Sequence, residues 1–237
     1  MNYDTKIIHN GSEIDKITGA LSVPIYQVST FYQSDIENPG KYMYSRSENP
    51  TREALEKTVA VLENGKYGYA FASGMAAITS ALLGFLKSGD HIVATQDIYG
   101  GTYRFLTKFL PRFGIETTFV DMTNSQNIRK AIKQNTRVLF IETPSNPLLT
   151  ITDIKECAII TKEFNLISMI DNTFMTPYFQ KPLDFGIDIS IHSATKFLGG
   201  HSDLVAGIVV TSNEEYAKKI YSENFYFFCS AHHIGFN

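Results

Sequence analysis

From Asn49 onward, short runs of β-branched and aromatic residues alternate with longer stretches in which apolar positions recur every three or four residues. Asn49 as N-cap and Pro50 at the first helical position open a helix with Leu55, Val59 and Leu62 on one face, and Asn64-Gly65 closes it. The pattern then predicts a strand over Tyr69–Ala72 and a helix over Met75–Lys87, followed by a strand over His91–Thr95 and a helix over Thr102–Arg112. A strand over Thr117–Val120 precedes a helix near Ser125–Gln134, and a strand over Val138–Glu142 precedes a helix over Asp153–Phe164. After a strand over Leu166–Asp171, Ile187, Ile189 and Ile191 alternate with Asp188, Ser190 and His192, the period of another strand. Ala206–Thr211 and the helix Glu214–Ser222 complete the series. Strands and helices alternating at this pitch predict an α/β fold on a mostly parallel, doubly wound sheet.

The two ends behave differently. Residues 1 to about 48 hold no sustained period, broken by Gly11, Gly19, Pro24, Pro39 and Gly40. The stretch Val23–Gln33 is too aromatic for a free tail, which suits an arm lying on a partner subunit. The expected organisation is therefore an arm over 1–48, a large domain over 49–222 and an atypical tail over 223–237. A net charge of −3 leaves no basic footprint for nucleic acid or an anionic membrane. The two cysteines, Cys157 and Cys229, form neither a disulfide framework nor a zinc cluster, and the histidines show no metal spacing. No signal peptide and no bilayer-length apolar run is found, so a cytoplasmic location is expected.

Candidate chemistry gathers where strands end, as it does in such sheets. Lys196 follows a strand within Ser-Ile-His-Ser-Ala-Thr-Lys-Phe-Leu-Gly-Gly, flanked by Ser193 and Thr195. It reads as a desolvated amine forming a Schiff base with a carbonyl cofactor, or equally as a lysine on a surface turn. Asp171 ends the apolar run from Leu166 and suits the pyridinium partner of pyridoxal 5'-phosphate (PLP); taken alone, it reads as a cap. Ser73-Gly74 opens a helix, where the amides of Gly74 and Met75 can face an anion. Tyr99-Gly100-Gly101 follows a strand and reads either as a turn or as a ring stacked on a flat cofactor. No G-x-G-x-x-G follows a strand and no Walker-type lysine follows the glycines, so a dinucleotide or nucleoside triphosphate site is not expected.

Tyr44–Thr51, Ala72–Ile78, Tyr99–Arg104, Glu142–Pro147, Asp171–Phe174 and Ser193–Asp203, taken together and in order, resemble the Cys/Met-metabolism family of PLP-dependent enzymes. That family includes cystathionine γ-synthase, the cystathionine β- and γ-lyases and methionine γ-lyase. The resemblance implies the large domain of the aspartate aminotransferase-type fold, with a seven-stranded sheet. It implies that Lys196 carries PLP and shuttles the α-proton, and that Asp171 pairs with the ring nitrogen. Tyr99 would stack on the ring and act as acid or base near the leaving sulfur. Gly74, Met75, Ser193 and Thr195 would hold the phosphate, and Asn146 would meet the ring oxygen or the substrate, with Glu142 supporting that edge. Tyr44 and Arg46 would reach the phosphate of a neighbouring subunit, in a homotetramer built as a dimer of dimers.

The implied activity is carbon–sulfur bond cleavage in cystathionine, by β- or γ-elimination, with homocysteine or cysteine as further sulfur amino-acid candidates. Two alternatives stand beside it: γ-replacement on an O-acyl-homoserine with cysteine, as in cystathionine γ-synthase, and an inactive PLP-binding fragment. The chain departs from the family twice. Gly101 stands where methionine γ-lyases usually carry cysteine, which disfavours that activity. Family members are also longer, with a C-terminal small domain that supplies a substrate-binding arginine, and resemblance fades after Tyr221 into the aromatic Phe225–Asn237. The expectation is a chain truncated or frameshifted near that point.

Overall fold

The computed structural model describes residues 2–9 and 14–226. Its centre is a seven-stranded sheet in the order β1-β7-β6-β5-β4-β2-β3. The strands are β1 (Tyr67–Phe71), β2 (His91–Thr95), β3 (Glu116–Val120), β4 (Thr136–Glu142), β5 (Ile167–Asp171), β6 (Ile189–Ser193) and β7 (Gly207–Thr211). β2 to β6 run parallel; β7 is antiparallel to both its neighbours, β1 and β6. The expected mostly parallel sheet is thus present, with one reversed strand beyond the lysine segment.

Successive side chains on a strand point to opposite faces, so each face buries its own set. Phe140, Met169, Ile189, Ile191 and Val209 pack with Ala77, Ile78 and Leu82 of helix α3 (Gly74–Leu83). On the other face Leu139, Ile141 and Ile170 meet Ile154, Cys157 and Ile160 of α6 (Ile154–Glu163). Further along that face, Ile208 and Val210 meet Val59 and Ala60 of α2 (Pro50–Leu62). Asn49 caps α2 by accepting the Thr51 amide, and Ser73 caps α3 by accepting that of Ala76. α4 (Gly100–Arg104), α5 (Ser125–Ala131) and the short α7 (Thr176–Phe179) lie between strands, and α8 (Glu214–Tyr226) follows β7.

Several boundaries differ from the sequence reading for identifiable reasons. β1 begins at Tyr67, because Gly68 is a site of close approach rather than a breaker: a Cβ there would lie 2.3 Å from the carbonyl oxygen of Glu56. The helix expected over Thr102–Arg112 divides into α4, a π-helical turn Phe105–Phe109 and a 3₁₀ turn Leu110–Phe113. Pro111 has no amide to donate and crowds the preceding turn, which ends regular α-helix. α8 extends to Tyr226, beyond the helix end expected at Ser222. The rest of the expected tail, with Cys229 and the aromatic run at Phe227-Phe228, lies outside the described residues. The arm contains a helix the periodicity did not reveal, α1 (Tyr3–His9), which buries none of its residues.

Candidate active site

Glu142 and Asp171 end adjacent parallel strands in register, so their side chains leave the same face of the sheet. Glu142 Oε2 accepts the amide of Tyr99 at 2.9 Å and Oε1 accepts that of Asn146 at 2.8 Å. One carboxylate thereby joins the turn after β2 to the loop after β4. Burial, and then the negative charge of Asp171, push Glu142 up to about 8 against the pull of those two amides. Asp97 firms the same loop by accepting the hydroxyls of Ser145 and Thr150. The side chain of Asn146 itself remains exposed.

Asp171 is only 7% exposed, and burial raises its proton affinity. Bonds from Thr173 and the neighbourhood of His192 work in the other direction. Thr173 donates its amide to Asp171 Oδ1 at 3.0 Å while its hydroxyl accepts the Ser193 amide at 2.8 Å. The ends of β5 and β6 are held together through that one residue.

Ser193 also backs onto the start of α3. A Cβ built on Gly74 would lie 2.6 Å from Ser193 Cβ and 2.7 Å from its hydroxyl oxygen, so only glycine allows this approach. The amides of Gly74 and Met75 are the first two of the helix and have no intrahelical acceptor. With the Ser193 hydroxyl beside Gly74, these amides make up a cradle that can face an anion at the positive end of the helix dipole. Thr195 is tied to β7 instead: its hydroxyl accepts the Ala206 amide at 3.0 Å and donates to the Ala206 carbonyl at 3.1 Å.

Tyr99 lies at the mouth of this group, 42% exposed. Its ring borders Gly101, where a Cβ would meet Tyr99 Cε1 at 2.4 Å and Met75 Sδ at 2.9 Å. The ring therefore occupies the space that a side chain at 101 would need.

Lys196 corrects one expectation. Its side chain is exposed rather than desolvated, because it projects from a turn in which its amide reaches Ser193 O at 3.1 Å and its carbonyl accepts the Gly200 amide at 2.9 Å. Tyr44 and Arg46 are grouped with each other on the arm, the guanidinium 5.1 Å from the ring centroid. The buried Arg52 supports that stretch by donating to the carbonyls of Ser45 and Ser47. Sequence reasoning passed over Arg52, and also Glu63, which is buried together with Asn172, Ser190 and His192 behind the ends of β5 and β6. Both read as ordinary charges on a helix with no local signal of burial.

The residues brought together are thus a buried carboxylate pair, an amide-and-hydroxyl cradle, an aromatic ring and an exposed amine, all at carboxyl ends of strands. Among the described residues no cluster of His, Cys, Asp and Glu is suited to a metal ion. The model of the Cys/Met metabolism PLP-dependent enzymes matches residues 4–232. The chain is 54% identical to the cystathionine beta-lyase of Bacillus subtilis (strain 168) over 218 residues, 92% of this chain and 56% of that protein. It is 54% identical to the cystathionine gamma-lyase of the same organism over 221 residues, 93% of this chain and 58% of that one. It superposes with a TM-score of 0.92, at 47% identity, on the structure of cystathionine gamma-lyase from Lactobacillus plantarum complexed with L-serine, covering 95% of this chain and 58% of that one. The chain spans somewhat more than half the length of these relatives.

Proposed function

The chain belongs to the Cys/Met-metabolism family of PLP-dependent enzymes, and we propose that it carries the cofactor-binding half of a lyase that cleaves a carbon–sulfur bond in cystathionine. The observation carrying this reading is the convergence of Lys196, the buried Asp171 and the Gly74–Ser193 cradle on one end of the sheet. These residues fit the cofactor on physical grounds. The amides of Gly74 and Met75, first in α3 and without an intrahelical acceptor, suit a phosphate, and two neighbouring buried carboxylates suit a cationic ring nitrogen.

Gly74, Met75 and Ser193 would hold the phosphate, Asp171 the ring nitrogen, Tyr99 one ring face and Lys196 the carbonyl carbon. When bound, PLP supplies an electron sink that stabilises negative charge at the substrate's α-carbon. The work of the chain is to direct protons. Lys196 Nζ, on its exposed turn, would take a proton at Cα and return it elsewhere. Tyr99, bordering the same site, has a phenol suited to protonating a departing sulfur. Tyr44 and Arg46 would serve a neighbouring subunit of a tetramer, and the buried thiol of Cys157 suits a reducing, cytoplasmic setting.

The test is to saturate the chain with PLP, add cystathionine and identify the 2-oxo acid released. Pyruvate denotes β-elimination and 2-oxobutyrate γ-elimination. Borohydride reduction of the loaded chain should fix the cofactor on the peptide containing Lys196. Label on another lysine would overturn the assignment; a correctly labelled chain that releases no oxo acid would identify a binding unit without turnover.

A further inference from the structure

Behind the sheet ends, on the face opposite Asp171, one oxygen atom collects three donors. Glu63 Oε1 accepts Asn172 Nδ2 at 2.9 Å, the Ser190 hydroxyl at 2.8 Å and His192 Nε2. Glu63, Asn172, Ser190 and His192 are all fully buried. The three donors are not scattered. Asp171 is the register partner of Ile191; Asn172 follows Asp171, while Ser190 and His192 flank Ile191. The Asn172 amide donates to the Ile191 carbonyl at 2.8 Å, which closes the ring of contacts around that pair. Gln180 completes the group: its carbonyl accepts from Asn172 Nδ2, and its Nε2 donates to Asn172 Oδ1.

Glu63 comes from the C-terminal cap of α2, not from any strand. The other carboxylate oxygen, Glu63 Oε2, has no hydrogen-bond partner among the described residues, nor has His192 Nδ1. The grip on both strands therefore runs through Oε1 alone. A carboxylate holds such donors about twice as strongly as a neutral carbonyl does.

We propose that Glu63 is a positioning residue for the cofactor ring, acting through Asn172 and His192 to hold the Asp171 carboxylate in place from the opposite face of the sheet. This rests on the assignment of Asp171 to the ring nitrogen. Glu63 does not touch the cofactor or the substrate; it sets where the touching residue stands.

The experiment compares the parent chain with Glu63→Gln and Asn172→Ala. Glu63→Gln keeps the size and one carbonyl acceptor but loses the charge and places an amide where Oε2 has no partner. Asn172→Ala cuts the same link from the strand side and keeps the carboxylate. In the cofactor-free proteins, amide hydrogen exchange at Asn172, Thr173 and Ser193 is expected to quicken by about tenfold relative to Ile92 and Val93, in the sheet but away from the network. With PLP and an amino acid, α-proton exchange should slow by about tenfold while cofactor affinity changes less than about threefold. Uniform loss of protection across the sheet, or none at Thr173 and Ser193, overturns the proposal and leaves Glu63 a packing residue. Unchanged α-proton exchange in a variant with locally quickened amides overturns it as well. Should the parent chain show no visible cofactor band, the assignment of the site has failed, and the hydrogen-exchange comparison still decides whether Glu63 holds the strand ends.

Discussion

Replacing Gly74 by alanine tests whether the anion cradle depends on close approach between α3 and β6. The new Cβ would lie 2.6 Å from Ser193 Cβ, 2.7 Å from its hydroxyl oxygen and 2.9 Å from its Cα, all inside ordinary contact distance. Overpacking of this kind costs about 1–3 kcal/mol once neighbours shift. Alanine also favours helix over glycine by up to about 1 kcal/mol, so the sign of the net change is informative. The steric term should win, giving net destabilisation of about 1–2 kcal/mol, or a melting temperature lower by roughly 2–8 °C for a chain of this size. Ser193→Gly removes two of the three obstructing atoms but leaves the Cα at 2.9 Å, so rescue in the double variant should be partial. A coupling energy of about 1 kcal/mol is expected across the four proteins. The chain contains no tryptophan, so urea unfolding followed by far-UV circular dichroism is the suitable assay. Stabilisation by Gly74→Ala, or strict additivity with Ser193→Gly, would show that helix and strand do not meet as described. Where the cycle does show coupling, Gly74→Ala should also weaken PLP, because the shift opens the cradle.

Two further outcomes follow from the buried carboxylates. Glu142 is raised from 4.5 to about 8 and Glu56 from 4.5 to about 7, and Asp171 is raised too. The folded chain then holds more protons than the unfolded chain between about pH 4.5 and 8, so the stability of the cofactor-free protein should fall as pH rises through that window and level off above it. A tenfold gain in proton affinity on folding corresponds to about 1.4 kcal/mol, and Glu142→Gln should flatten the fall by a few kcal/mol while loosening Tyr99 or Asn146, since its one oxygen cannot serve both amides. A urea-midpoint profile with the same slope in that variant would show that Glu142 is not the group responsible. Asp171→Asn should leave the fold intact and slow α-proton exchange by at least about tenfold, against a smaller change in cofactor binding; equal exchange rates would reduce Asp171 to a cap.

Much of this architecture was legible because its cues are local. The alternation of Ile187, Ile189 and Ile191 with polar neighbours marked β6, and Asn49-Pro50 marked the start of α2 to the residue. Asp171, Lys196, Gly74 and Tyr99 stood out because chemistry-bearing residues ended apolar runs or opened helices. What stayed hidden was set by distant chain segments. Glu63 lies in Leu-Glu-Asn-Gly at a helix end, which reads as a solvated turn, and its burial depends on donors more than a hundred residues away. The need for glycine at 68 is equally non-local, since it comes from α2 lying against that position. The exposure of Lys196 is of the same kind, since flanking apolar residues do not reveal that a turn lifts the amine into solvent.

The charge arrangement at the strand ends has a direction of its own. Glu63, Glu142 and Asp171 are all buried there. Burial raises the cost of ionising Glu142 and Asp171 unless positive charge lies close by. Of the basic side chains named at this end of the sheet, His192 is fully buried and already committed to Glu63, while Lys196 is held out on its turn. Glu142 spends both oxygens on backbone amides, and Glu63 gathers donors from two strands. Asp171 differs: Thr173 bonds it through both amide and side chain, and a carboxylate's remaining acceptor positions leave room for a donor arriving from the cradle side of the sheet. At Asp171 a protonated ring nitrogen would supply both a donor and a positive charge, which would offset the repulsion between Asp171 and Glu142. A neutral ligand would supply only the first. The arrangement suits a cation at Asp171 and an anion at Gly74, the two charges that the proposed cofactor would bring.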